Sequence, residues 1–278
     1  VFSLDDSKQR AYIGDMLRLA PLVLLFVSML PLTAETSREP EGVGVDQKPG
    51  ETLPLDLMFK NESGESVPLR SFFAKGKPVL IAPSYFECIR LCTYIYNGIG
   101  KAVKATPNLL PGRDYTIISL SINPADNPMM AKMKGENYRE ALKEGGGPDL
   151  KSDAWTFVTG SEENIKAITD AVGFRYKKDG KDFSHPAALV LVTPDGKISR
   201  YLFGIEFEPR DYRLALVEAS DGEIGGIVDA VMLSCFRYDP IEGKYSPFAW
   251  GFMRIGGVAT LALLLGTFFI LKRREKRA

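Results

Sequence analysis

The chain predicts a layered α/β domain that opens with a β-hairpin and is followed by one C-terminal helix long enough to cross a membrane. Short apolar runs bounded by turn residues alternate with stretches whose apolar residues recur every four positions. Two Gly-containing turns, Asn61-Glu62-Ser63-Gly64 and Thr193-Pro194-Asp195-Gly196, each separate two strand-like segments. From Ile255 to Leu271 no residue is charged. The chain has no internal repeat.

Residues 1–15 are polar and precede Met16, so the start of translation is expected at Met16. Met16-Leu17-Arg18 leads into Leu19 to Leu32, where Ser28 is the one polar residue, and Ala34 follows. Residues 16–34 therefore read as a secretory signal, with cleavage after Ala34 or retention as an N-terminal anchor both open. Residues 35–50, rich in Glu, Gly and Pro, read as a linker, and the fold is expected to start near Leu53.

In the domain expected over 51–220, Leu55 to Lys60 and Ser66 to Leu69 form the first hairpin. Pro78 to Ala82 is a continuous apolar run, the pattern of a strand covered on both faces. Leu91, Ile95, Ile99 and Val103 make an i, i+4 stripe, predicting a helix that runs to Pro107. Tyr115 to Ile122 is again strand-like, and Asn127 to Lys143 reads as a helix stopped by Gly145-Gly146-Gly147-Pro148. A strand around Thr156 to Val158 precedes a helix capped by Ser161, with Glu162 and Glu163 suited to its dipole. Ala187 to Val192 and Lys197 to Phe203 form the second hairpin, and Pro209 to Ala219 is the last helix of the domain.

Residues 221–247 read as a juxtamembrane segment and 248–271 as the membrane helix, entered through Phe248, Trp250 and Phe252. The tail 272–278 carries Lys272, Arg273, Arg274, Lys276 and Arg277, a cluster that belongs on the cytoplasmic side. The expected location is thus the cell membrane, with the domain on its extracytoplasmic, periplasmic side. The 35 basic and 35 acidic residues cancel, so overall charge gives no reason to expect a nucleic-acid partner.

Three cysteines are too few for a disulfide scaffold, and an odd number leaves at least one thiol for other chemistry. Cys88 and Cys92 fall where a buried strand hands over to a helix, whose N-terminal amides favour a thiolate. Residues four apart on a helix have Cβ atoms about 5–6 Å apart, while a disulfide wants about 3.5–4.5 Å. Two such sulfurs can share a metal, and a disulfide stays open if Cys88 precedes regular helix. Thiolates suit Cu(I) or Zn, and imidazole suits both oxidation states of copper. The chain has a single histidine, His185, in the loop Lys181-Asp182-Phe183-Ser184 before a strand. Alone, such a histidine is more often structural than a ligand. Structural zinc fits less well, because it usually takes four ligands.

The run Tyr85-Phe86-Glu87-Cys88-Ile89-Arg90-Leu91-Cys92 and the late Ser184-His185-Pro186 resemble the Sco/SenC copper proteins. The likeness extends from about Val43 to Ala219 through Gly42-Val43-Gly44-Val45-Asp46, Ser121-Ile122-Asn123-Pro124, Gly173-Phe174-Arg175-Tyr176 and Thr193-Pro194-Asp195-Gly196-Lys197. Tyr238-Asp239-Pro240, Gly243-Lys244-Tyr245 and the final helix are similar to a bacterial branch with a C-terminal membrane anchor. The resemblance implies a thioredoxin-like fold, copper bound by Cys88, Cys92 and His185, and a role in assembling the copper centre of cytochrome c oxidase. It implies the copper-accepting oxidase subunit as partner, with thiol–disulfide or copper-donor proteins as further ones. Two positions depart from the family pattern, Ile89 where Pro is usual and Asn123 where Asp is usual. Cys235 lies between the domain and the final helix, with three readings open: pairing with a partner, a fourth metal ligand, or a partly buried free thiol.

The expected function is a metallochaperone rather than an enzyme. The alternatives are a thiol–disulfide oxidoreductase, with Cys88 and Cys92 as redox-active thiols, and a copper or redox sensor.

Overall fold

Three strands buried along nearly their whole length organise the domain: β4 (Val79–Ser84), β5 (Thr116–Ser121) and β6 (Trp155–Gly160) pair in parallel at its centre. Their sequences show no alternation because helices cover both faces of a parallel sheet. The computed structural model describes residues 41–73, 76–87, 91–220, 233, 236–239, 243–247, 256–261 and 265. In chain order the strands are β1 (Gly44–Val45), β2 (Met58–Lys60), β3 (Ser66–Pro68), β4 to β6, β7 (Phe174–Arg175), β8 (Lys177–Asp179), β9 (Asp182–Ser184), β10 (Ala188–Val192), β11 (Ile198–Phe203), β12 (Phe236–Asp239) and β13 (Lys244–Pro247). The helices are α1 (Leu91–Ala105), α2 (Pro128–Glu144), α3 (Glu162–Ala171) and α4 (Pro209–Ala219). Seven strands form one sheet in the order β11-β10-β4-β5-β6-β2-β3. The two expected hairpins stand at its opposite edges, which is the thioredoxin-like α/β layering with a hairpin extension.

Each helix buries the stripe its sequence shows. Ile95, Ile99 and Val103 of α1 are fully buried, each contributing roughly 1.5–3 kcal/mol of apolar transfer. Asn127 caps α2 by accepting from the Met130 amide, and Ser161 caps α3 by accepting from Asn164. Pro83 lacks a ladder donor, yet it sits in a central strand. β10 pairs only with Val79 to Ile81, so beyond that point β4 is bonded on one side and the missing N–H is not needed.

Residues 43–50, within the segment read as a linker, pair with the domain. Val43 is buried and Gly44–Val45 pairs with Phe174–Arg175. The amides of Asp46 and Gly50 then donate to the carbonyls of Gly173 and Ile198, at 2.8 and 2.7 Å. Gly173 has φ +65°, and a Cβ there would lie 1.9 Å from the Asp46 carbonyl oxygen, so the close approach of these two segments requires glycine. A polar, Gly-rich composition hides such pairing because backbone groups make it. Backbone pairing with the domain therefore extends ahead of Leu53, to Gly44.

Within the segment assigned as juxtamembrane, the described Tyr245 packs back on the domain. β12 and β13 form a hairpin, Tyr245 is 2% exposed, and its hydroxyl donates to Glu218 at 2.5 Å. The loop expected to carry His185 is also a hairpin, with β9 pairing with β8.

The predicted signal, residues 16–34, lies outside the described residues. So does most of the predicted membrane helix; residues 256–261 and 265 are helical. Among the described residues no helix is long and apolar enough to cross a membrane.

Candidate metal centre

Strand register brings the histidine to the cysteines. Continuing the antiparallel register past Val190↔Ile81 sets His185 level with Phe86, two residues before Cys88. On the other side, the first turn of α1 carries Cys92, which is fully buried. The Cys92 Sγ and His185 Nε2 atoms lie 3.3 Å apart, across 93 residues of sequence.

The other ring nitrogen fixes the role of this contact. His185 Nδ1 is 3.0 Å from the Pro186 carbonyl oxygen, which can only accept, so Nδ1 carries the proton. Nε2 therefore presents its lone pair to Cys92, and the thiol S–H donates to it. This is the arrangement in which a backbone carbonyl orients a metal-ligating imidazole. Metal–sulfur and metal–nitrogen bonds of about 2.3 and 2.0 Å at a tetrahedral angle place the two donors about 3.5 Å apart. The pair fits a soft metal with little movement.

Aromatic rings enclose the histidine. The Tyr85 ring stands edge-on to it at 5.9 Å and to Phe183 at 5.4 Å, and Phe174 lies 6.0 Å away on another side. His185 is only 7% exposed as a result. Below Cys92, the Tyr96 hydroxyl bonds Ser84. Burial, then the neighbouring Cys92 sulfur, raises the Tyr96 hydroxyl well above its ordinary range, so it stays a neutral donor or acceptor.

One residue of the site escaped the sequence reading. Asp126 is buried, and its Oδ2 accepts from the Phe86 amide at 2.7 Å and the Ser121 hydroxyl at 2.6 Å. Its Oδ1 accepts from Asn123 Nδ2 at 3.1 Å. Burial raises its carboxyl above the usual aspartate value, against the pull of these donors, and Glu87 adds to the rise. The available signal was an acid between the end of a buried strand and a helix cap, in Asn123-Pro124-Ala125-Asp126-Asn127.

Of the predicted ligands, the structure joins Cys92 and His185, while Cys88 and Cys235 lie outside the described residues. Among the described residues no three His, Cys, Asp or Glu side chains cluster as metal ligands.

The SCO1/SenC family pattern matches residues 47–216. The SCO1 protein homolog of Bacillus subtilis (strain 168) is 31% identical over 161 residues, covering 55% of this chain and 75% of the relative. A crystal structure from Aquifex aeolicus VF5 is 25% identical with a TM-score of 0.55, covering 63% of this chain and 96% of the other. ScoI of Bradyrhizobium japonicum, solved with copper bound, is 22% identical with a TM-score of 0.42 and covers 63% and 99%.

Proposed function

The chain belongs to the SCO1/SenC family, and from that premise we propose that it is a membrane-anchored copper metallochaperone serving cytochrome c oxidase assembly from the extracytoplasmic side. The observation that carries the reading is the Cys92–His185 pair, with Nε2 aimed at the sulfur and Nδ1 tied to a carbonyl. Copper is the cargo. Cys92 and His185 would hold it together with Cys88, a soft donor set suited to Cu(I) that also accommodates Cu(II) through the imidazole.

The chain's own groups do the following. The Cys92 thiol gives up its proton as the metal enters, so uptake releases protons and is favoured by rising pH. His185 needs no tautomer change, because Nε2 is already unprotonated. The aromatic shell keeps water from competing for the metal. The donors come from two separate elements, α1 and the β8–β9 hairpin, so an acceptor can replace them one at a time.

Anaerobic titration of the reduced chain tests this. About one copper is expected per chain, and Cys88→Ala, Cys92→Ala and His185→Ala should each abolish it. Reduced wild-type protein that takes up no copper refutes the reading.

The same contact supports a second reading, thiol–disulfide exchange. Cys88 thiolate would attack a partner disulfide, releasing one partner thiolate and forming a mixed disulfide. Cys92, its proton taken by Nε2, would then attack the Cys88 sulfur and release the second partner thiolate, leaving a Cys88–Cys92 disulfide. Reductase activity that is slowed but not abolished in His185→Ala, where copper binding is lost, separates the two.

A further inference from the structure

The buried carboxylate beside the site has an unusual set of partners. Asp126 reaches back to the amide of Phe86, the last buried residue before the cysteine motif. Tyr85, the next residue back, packs edge-on against His185 and donates its hydroxyl to Asp182 of β9 at 3.3 Å. One short segment, Tyr85-Phe86, thus touches both arms of the site, leading into the cysteines on one side and bracing the histidine hairpin on the other. Asp126 is what fixes that segment to the β5–α2 loop.

Donors and acceptors in the clamp match one to one. Asp126 Oδ2 takes the Phe86 N–H and the Ser121 O–H, and Oδ1 takes the Asn123 NH₂. Asn123 Oδ1 accepts from the Ala125 amide at 3.0 Å. A carboxylate at position 123 would set an oxygen where the donating nitrogen is, 3.1 Å from Asp126 Oδ1, and two carboxylates so close cannot both stay ionised. Asparagine, the residue that departs from the family pattern, is therefore the complement of Asp126 and not a missing functional acid.

We propose that Asp126, matched by Asn123, is the positioning residue that holds the Tyr85-Phe86 segment and so sets the cysteine and histidine arms against each other. The proposal rests on the copper-binding reading, and it has a metal-free test as well. The full chain is compared with Asp126→Ala, Asn123→Asp and the swap Asn123→Asp/Asp126→Asn. Two quantities are read: the ring ¹H–¹⁵N signals of the single histidine in metal-free protein, and Cu(I) affinity of reduced protein by competition with a chromophoric chelator.

Asp126→Ala and Asn123→Asp should each shift the His185 ring signals and weaken Cu(I) binding by about 10- to 100-fold, the usual cost of losing an outer support of a metal site. The swap should restore both. In it the new amide oxygen at 126 accepts from Phe86 and Ser121, while its NH₂ donates to the new carboxylate at 123. A role confined to stability would lower the melting temperature and leave the histidine signals of the folded protein in place. Unshifted histidine signals in Asn123→Asp, or a swap no better than Asn123→Asp alone, overturn the proposal. Should wild-type protein bind no copper, the copper reading falls and the histidine signals still decide the clamp.

Discussion

A buried ion pair ties the turn of the first hairpin to α2, and its removal has a calculable consequence. Arg139 of α2 donates from Nη1 and Nη2 to the two oxygens of Glu62 at 2.8 Å each, and Nη1 also donates to the Trp155 carbonyl at 2.8 Å. Glu62 Oε1 accepts in addition from the Phe157 amide at 3.1 Å. The side chains are 10% and 9% exposed, so solvent screens the pair little. Arg139→Met leaves a buried carboxylate with one remaining donor, which costs about 3–5 kcal/mol. Against a total stability of about 5–15 kcal/mol for a domain, that is a large loss. Glu62→Gln/Arg139→Met removes both charges and keeps an acceptor for Phe157, so most of the loss should return. Urea denaturation followed by circular dichroism measures both, with an unchanged slope showing that the unfolded reference is the same. A loss below about 1 kcal/mol in Arg139→Met, or a double variant no more stable than the single, refutes the reasoning.

Three further outcomes follow from the structure. Gly173→Ala forces a side chain into positive φ against the Asp46 carbonyl, so the β1–β7 pairing should open and limited proteolysis should cut near residue 46 faster than in wild type. Tyr245→Phe removes the hydroxyl donated to Glu218 and should lower stability by about 1.5–3 kcal/mol in thermal or urea melts, whereas a detached juxtamembrane segment would show no change. Burial raises the Asp126 carboxyl, so the folded state binds its proton more tightly than the unfolded chain does. The associated stability is present at low pH and is lost as pH rises from the unfolded value of about 3.9 through the raised folded value. Urea midpoints across this acidic window should show that slope in wild type and lose it in Asp126→Asn.

The sheet and its helices were legible because their signals are local. The uninterrupted apolar run at Val79 to Ala82, the i, i+4 stripe on α1 and the caps at Asn127 and Ser161 concern residues within a few positions of each other. The edges of the domain were not. Residues 43–50 join it through backbone pairing and Tyr245 through its buried side chain, and neither leaves a periodic trace in the sequence. Asp126 was missed for a related reason: an acid beside a helix cap reads as a surface residue until the amide it serves, 40 positions away, is known.

The sequence by itself determined the α/β order of elements and the two hairpins, and it singled out Cys88, Cys92 and His185 as the candidates for a shared chemistry. Tertiary structure alone decided that Cys92 and His185 meet, which nitrogen faces the sulfur, and what holds the segment between them. Periodicity and capping follow from steric and hydrogen-bonding rules acting within one or two turns of chain. The site depends on the register between β4 and β10, which fixes contacts across 93 residues and follows from packing the whole sheet.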